Sequence, residues 1–462
     1  MSLARELVRR LCAGRARPLP AAVEAAARLH LLDAIGVGLA AAAGGAGRPY
    51  MRFAREAANG PASVFGRHGG AAAADAALVN GGLIHSLEYD DTHTASIVHG
   101  SAVLAPAALA AAEAAEAKGG TLLAAYARGW EILVRIGLAA PGAFQSRGFQ
   151  VTSVGGALVA ALVASEVAGA DEDTTVAALG IALSQACGVF EFLTNGSSVK
   201  SLHPGWAAHA GLTAARLATC GMTGPETAIE GRFGLFAAFA SDTDAPARFR
   251  TQLADLGERW HLPDAAFKFH PCCHYIHPFI EAAGRLALQG VAWERIERLL
   301  CRVPAGAAPI ICDPWQIKQM PPTPHAARWS LPVAVAARLV EGDVTLATFE
   351  REISAPVRDL AARITWQELA DARFPQAFEA EIVCDIADGG SLTVRIDDVY
   401  GNRSRPAATA AVREKFRRNA GLSLPAAAVA ALERAIDTLS AGRSPEALTS
   451  ALRGIPEGNR DV

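Results

Sequence analysis

AEIVCDIADGGSLTVRID, residues 380–397, carries the clearest period-two pattern in the chain. Ala380, Ile382, Cys384 and Ile386 alternate on one side of Asp388-Gly389-Gly390, and Leu392, Val394 and Ile396 alternate on the other. Successive strand side chains point to opposite faces, so each run presents one apolar face, and Asp-Gly-Gly supplies the turn. The pattern predicts a β-hairpin. IERLLCRVPA (296–305) reads as a further strand of the same sheet, and SLPVAVAARLVEG (330–342) as a helix closed by Gly342. With the prolines that thicken from Pro263 onward, this part of the chain is expected to be α+β.

Working outward, the text changes character. From residue 20 to about 260, Ala/Leu/Val-rich runs at helical spacing alternate with short Gly, Pro or Asp punctuation, as in AAVEAAARLHLLDAIGVGLAAAAGG and ALVAALVASEVAGADED. This half reads as nearly all α. The last fifty residues return to helix in LPAAAVAALERAIDTLSAG and are expected to pack back on the first half. A chain of 462 residues exceeds what one core organises, so two domains are expected.

Composition narrows the function classes. The chain is 51% hydrophobic with a mean hydropathy of +0.21, but much of this is alanine. Apolar runs such as VTSVGGALVAALVAS (151–165) end short of a bilayer's thickness and read as buried helices, so no membrane partner is expected. MSLARELVRRLCAGRARP lacks the apolar core of a secretory signal, which points to the cytoplasm. Eight cysteines show no CxxC spacing, and a net charge of −3 offers no basic stripe for nucleic acid. No GxGxxG follows a strand, and neither a phosphate loop nor a GxSxG elbow occurs.

Polar chemistry is concentrated instead. LEYDDTHTASIVHGSA (87–102) packs Glu88, Asp90, Asp91, His93 and His99 between alanine runs. Eight of the twelve histidines fall in three windows: His85, His93 and His99; His203 and His209; His270, His274 and His277. Each window leads into a helix, through Gly100-Ser101, Pro204-Gly205 or Pro278. Helix N-termini carry unpaired N–H groups and a positive dipole end, which suit a bound carboxylate. Only five of the 43 basic residues are lysine, and Lys200 and Lys268 lie inside the second and third windows. Arg cannot lose its proton and Lys can, so keeping Lys suits a general base or a compact cation. HPCCHYIH lacks the usual zinc spacings, and no metal is expected there.

Taken together, these motifs resemble the MmgE/PrpD family, the group of 2-methylcitrate dehydratase, cis-aconitate decarboxylase and iminodisuccinate epimerase. The resemblance rests on LLDAIGVGLA (31–40), NGGLIHSLEYDDTH with His99-Gly100-Ser101, Lys200-Ser201-Leu202-His203-Pro204-Gly205, EGRFGLFAAFA (230–240), Lys268-Phe269-His270-Pro271-Cys272-Cys273 with His277, and VREKFRRNA (412–420). It implies a mainly α protein with a second α+β domain: a large all-helical domain from 1–265 and 410–462, a smaller α+β domain over 266–409, and a homodimer. It further implies a site where the two domains meet, with no metal or organic cofactor. His99, Lys200, His203 and Lys268 would be catalytic, and Glu88, Asp90, Asp91, Thr92, Gln150 and His277 would surround a small anionic carboxylate substrate. Two departures stand out. Many family members read Gly-Phe-His-Pro-Thr where this chain has Gly148-Phe149-Gln150-Val151-Thr152, and Ser-Leu-Pro-Tyr where it has Ser330-Leu331-Pro332-Val333.

The expected chemistry is removal of a proton next to a carboxylate. It needs a base and cations aimed at the developing charge, with His99 or His203 as base and Lys268 as proton donor. A dehydratase-like lyase acting on a di- or tricarboxylate such as 2-methylcitrate is the expected activity. Epimerisation, decarboxylation and non-catalytic dicarboxylate binding are the alternatives.

Overall fold

The structure, a computed structural model, describes residues 1–387, 389–439 and 445–453. Its helical half runs through Ala21–Ala43, Ala73–Ser86, Gly100–Ala114, Gly119–Ala139, Val151–Val167, Glu172–Leu183 and Leu202–Thr219. Every residue of Val151–Val167 is buried, as are all but the last of Gly100–Ala114. Helices apolar all round can sit only inside other helices, and alanine and glycine let them approach closely. At Gly205 a Cβ would lie 2.3 Å from the Leu78 carbonyl oxygen, and at Gly81 it would lie 2.6 Å from the Gly205 Cα. Ala73–Ser86 and Leu202–Thr219 therefore cross backbone against backbone, and His85 and His203 both lie close to that crossing in sequence.

Ala21–Ala43 is long and apolar enough to cross a bilayer by length and composition. Here most of it is buried among other helices, and its polar residues are tied inside the protein, His30 to Asp91 and Asp33 to Lys415. The chain end does pack back: Phe416, Leu432 and Leu448 belong to the same apolar core as residues 3–265.

A second apolar core draws on residues 272–396. It contains a four-stranded sheet of β3 (Ile296–Val303), β4 (Ile364–Glu368), β5 (Ala380–Ile386) and β6 (Gly390–Ile396) in the order β4-β3-β5-β6. The two named first in chain order, β1 (Asn59–Ser63) and β2 (Gly70–Ala71), form a small ribbon in the helical half. β5 and β6 pair antiparallel in the expected hairpin, with Ile382 opposite Val394 and Cys384 opposite Leu392. Of its turn, Gly389 adopts φ +81°, and Asp388 lies outside the described residues. β3 joins this sheet antiparallel to β5. β4, parallel to β3, has one buried residue, Ile364, so ITWQE shows none of the alternation that would have revealed it. The helix Leu331–Val340 begins where Ser330 Oγ accepts a hydrogen bond from the Val333 N–H, 3.1 Å, and is followed by Gly342 at φ +85°.

Candidate active site

Residues 87–100 run between the two cores, and two distant segments hold them there, residues 266–268 and the helix Thr409–Ala420. Lys268 Nζ donates to the Glu88 carbonyl (3.2 Å), Lys415 Nζ donates to the Tyr89 carbonyl (2.9 Å), and Thr92 exchanges both backbone hydrogen bonds with Ala266. With Lys200, which donates to the Glu88 carboxylate, three of the five lysines end on Glu88–Tyr89. Glu88 and Ile97 adopt φ +52° and +55°. A left-handed backbone at a β-branched residue is strained, and such strain persists where surrounding contacts fix it. His99 then caps the helix Gly100–Ala114. A Cβ at residue 100 would lie 2.5 Å from the Trp130 ring, so glycine is required for this helix to start beside Trp130.

A cavity of about 240 Å³ opens beside this segment. Glu88, Thr92, His99, Gln150, Lys200 and Lys268 line it. Ile97, Phe190, Phe192, Leu193, Trp329, Phe374 and Phe378 supply an apolar wall, with Tyr275 and the polar Thr94, Gln145 and His274 also on its surface. His99 and Gln150 come from the starts of the helices Gly100–Ala114 and Val151–Val167, and Trp329 and Phe374 from the second core.

Electrostatics divide the polar groups into fixed charges and a neutral base. Lys200 Nζ lies 2.5 Å from Glu88 Oε1, and Lys268 Nζ lies 3.7 Å from Glu88 Oε2. Burial opposes the charge of Glu88, but the two ammonium groups outweigh it and hold the carboxyl well below the usual carboxylate range. Burial likewise opposes the charge of Lys268, and Glu88 with Asp90 raises its pKa above the ordinary lysine value. Lys268 is therefore a cation, and of the two roles a retained lysine suits, base or compact charge, its surroundings support the second.

His99 is different. Its Nδ1 faces three acceptors: the Asp91 carbonyl at 3.1 Å, Thr92 Oγ1 at 3.2 Å and Asp90 Oδ2 at 3.3 Å. These place the ring proton on Nδ1 and leave Nε2 with its lone pair. Burial is the largest influence and pushes the imidazole pKa down to about 4, with Asp90 opposing in part. At neutral pH His99 is thus an uncharged base, and its side chain is on the cavity surface.

Behind it runs a directed chain of hydrogen bonds. His203 Nδ1–H donates to Gln150 Oε1 (2.7 Å), Gln150 Nε2–H donates to His85 Nε2 (3.3 Å), and His85 Nδ1–H donates to Asp90 Oδ2 (2.8 Å). Asp90 Oδ2 also faces His99 Nδ1, so four side chains, two within helices and two at the starts of two others, are ordered around one carboxylate. Burial opposes the charge of Asp90, and His85 and His99 overcome it, keeping the carboxyl well below its ordinary value. Gln150 bridges two imidazoles by accepting from His203 and donating to His85.

Of the ten residues singled out from sequence, Glu88, Thr92, His99, Gln150, Lys200 and Lys268 face the cavity together. Asp90 is fully buried beneath His99, and His203 stands behind Gln150 with its pKa lowered by burial to about 4. Asp91 faces the other way, accepting from His30 Nδ1 (2.7 Å) and from the Ser101 N–H and hydroxyl. His277 is in a separate cleft with His270, Glu281 and Arg338. His93 bonds Ser96 and lies against His261. Val333 is buried in the second core. Sequence reasoning counted His85 and His274 in the histidine windows but gave neither a role in the site; His274 lines the cavity with neither ring nitrogen bonded. Sequence reasoning passed over the aromatic wall, whose members share no spacing.

Among the described residues, the set with metal-ligand geometry is His85, Asp90 and His99, whose ligand atoms lie within 4.8 Å of one another. Both imidazole Nδ1 atoms in it are already directed at Asp90 Oδ2. Asp90 Oδ1 is buried without a hydrogen-bond partner. The Cys272–Cys273 pair is not part of that set.

Comparison with known proteins identifies the family. The MmgE/PrpD N-terminal domain matches residues 5–248, and the MmgE/PrpD C-terminal domain matches residues 270–440. The chain belongs to the MmgE/PrpD family. Human cis-aconitate decarboxylase is 30% identical, over 82% of this chain and 79% of its own length. The cis-aconitate decarboxylase-like protein oryM of Aspergillus oryzae is 28% identical over 94% of both chains, and the cis-aconitate decarboxylase of Aspergillus terreus is 27% identical over 75% of this chain and 74% of its own. These MmgE/PrpD relatives make the chain an enzyme of lyase type at the coarse level.

Proposed function

We propose that this member of the MmgE/PrpD family is a cofactor-independent lyase that begins by removing a proton from the carbon next to a substrate carboxylate. The observation that supports it most is the state of His99: a neutral imidazole whose Nδ1–H is committed to Asp90 and the Asp91 carbonyl, with Nε2 free, in a cavity that also holds two ammonium groups. Nε2 takes the α-proton, and the electron pair moves into the carboxylate, whose oxygens then carry the extra charge. Lys268 and Lys200 stabilise that charge electrostatically. In dehydration the pair returns to form a carbon–carbon double bond as hydroxide leaves the neighbouring carbon. Lys200, the less buried of the two, protonates that hydroxide. Asp90 stabilises the imidazolium formed on His99.

Decarboxylation is the second reading, favoured by the names of the relatives. There carbon dioxide leaves first and the same carbon takes up a proton. NMR in deuterated water over a panel of small carboxylic acids, including 2-methylcitrate, cis-aconitate and iminodisuccinate, separates the two. Deuterium at the α-position without carbon dioxide release, lost in His99→Gln, is the expected result. Release of carbon dioxide, or exchange that survives His99→Gln, would rule out the first reading. The homodimer expected from the resemblance is part of this proposal and is read by sedimentation.

A further inference from the structure

Charges facing the cavity are few. Lys200 and Lys268 contribute two positive charges and Glu88 one negative, a net of +1, and the Glu88 oxygens already face both ammonium groups. His99 stays uncharged, with its pKa near 4, and His274 is held well below the ordinary histidine value, burial being the largest influence on both. No arginine lines the cavity. Lys200 Nζ lies over the Trp329 ring, 5.3 Å from its centroid, and the apolar lining continues through Phe190, Phe192, Phe374 and Phe378, with Leu193 exposed.

A tricarboxylate carries three negative charges. One carboxylate can meet the two lysines, and the others would face Phe190, Phe192, Phe374 and Phe378, since among the described residues Lys200 and Lys268 are the cations that line the cavity. Ionised groups removed from water without partners are strongly disfavoured, whereas apolar surface gains from the same transfer. Resting on the proton-abstraction reading above, we propose that the substrate is an amphipathic acid: one carboxylate held by Lys200 and Lys268, and an uncharged aromatic or branched apolar group against the Phe190–Phe192–Trp329–Phe374–Phe378 wall. The polar end places the reacting carbon near His99, and the wall selects the rest of the molecule.

Calorimetric titration of the full chain at neutral pH with three inert acids tests this. 3-Phenylpropionate has one carboxylate and a ring, propionate has the carboxylate without the ring, and tricarballylate has three carboxylates. The expected result is that 3-phenylpropionate binds at least tenfold more tightly than either of the others. Equal or tighter binding of tricarballylate would overturn the proposal, as would equal binding of propionate. Leu193 is 44% exposed, so Leu193→Arg adds a cation at the wall with little cost to folding. It should shift the preference toward tricarballylate by at least tenfold, and an unchanged ratio would remove the wall from recognition. Exchange in deuterated water, with 3-hydroxy-3-phenylpropionate and citrate, separates this from the parent reading. Ring-selective binding with no His99-dependent α-exchange of either acid would leave the substrate class standing and sink the proton-abstraction reading. His99-dependent exchange of citrate alone would do the reverse.

Discussion

Replacing Asp90 by Asn removes one buried charge and keeps the shape of the site. Asp90 Oδ2 lies 3.3 Å from His99 Nδ1, and burial excludes water from both. When His99 accepts a proton, its positive charge spreads over the ring, so the charge separation is about 4 Å, and at an effective dielectric of about 20 the attraction is about 4 kcal/mol. The Asp91 carbonyl at 3.1 Å and Thr92 Oγ1 at 3.2 Å remain to accept the Nδ1–H, which keeps part of the orientation. The net loss of transition-state stabilisation is therefore about 3–4 kcal/mol, a fall in rate of about 10²–10³-fold. The effect belongs in kcat, because the ground-state imidazole is neutral and the substrate carboxylate sits at the lysines. The assay is the rate of α-deuterium exchange under saturating substrate, with His99→Gln as the floor and near-ultraviolet circular dichroism as the check on folding. An Asp90→Asn rate within threefold of the parent would mean that the carboxylate does not support charge on His99, and the base would have to be sought elsewhere.

Other consequences are open to simpler measurements. Lys200→Ala should abolish turnover while costing only about 1–2 kcal/mol in stability, since Lys268 still faces Glu88; retention of full activity would take Lys200 out of the site. The folded chain holds His99 and His203 near pKa 4, and the unfolded chain takes up those protons near 6.5, so stability is full above about pH 6.5 and is lost as pH falls toward 4, by about 1.4 kcal/mol per group per pH unit. Urea midpoints at pH 8, 6 and 5 read this, and a flat profile would contradict it. For the same reason, the acid limb of kcat/KM should lie near pH 4, well below the ordinary histidine range. Dialysis against a chelator should leave the exchange rate unchanged, and loss restored by a divalent metal would place an ion at His85, Asp90 and His99.

Much of the fold could be read from residue order because its signals are local. Ala380–Ile386 and Gly390–Ile396 each present one apolar face, so period-two alternation survives in the text. β4 escaped because an edge strand with one buried residue has no face to mark. Lys415 shows the same limit in the site: in sequence it looked like a lysine remote from both windows, and in space it holds the Tyr89 carbonyl across 326 residues. Histidine windows at helix starts and the retention of Lys200 and Lys268 pointed to a site, because helix N-termini and amine chemistry are properties of short segments. Which of these groups share a cavity is not such a property. It was settled where Gly81 and Gly205 let two helices touch and where Gln150 from a third fell between His85 and His203. The aromatic wall was settled the same way, since the tertiary fold, and no spacing along the chain, brings Phe192 and Phe378 to one surface.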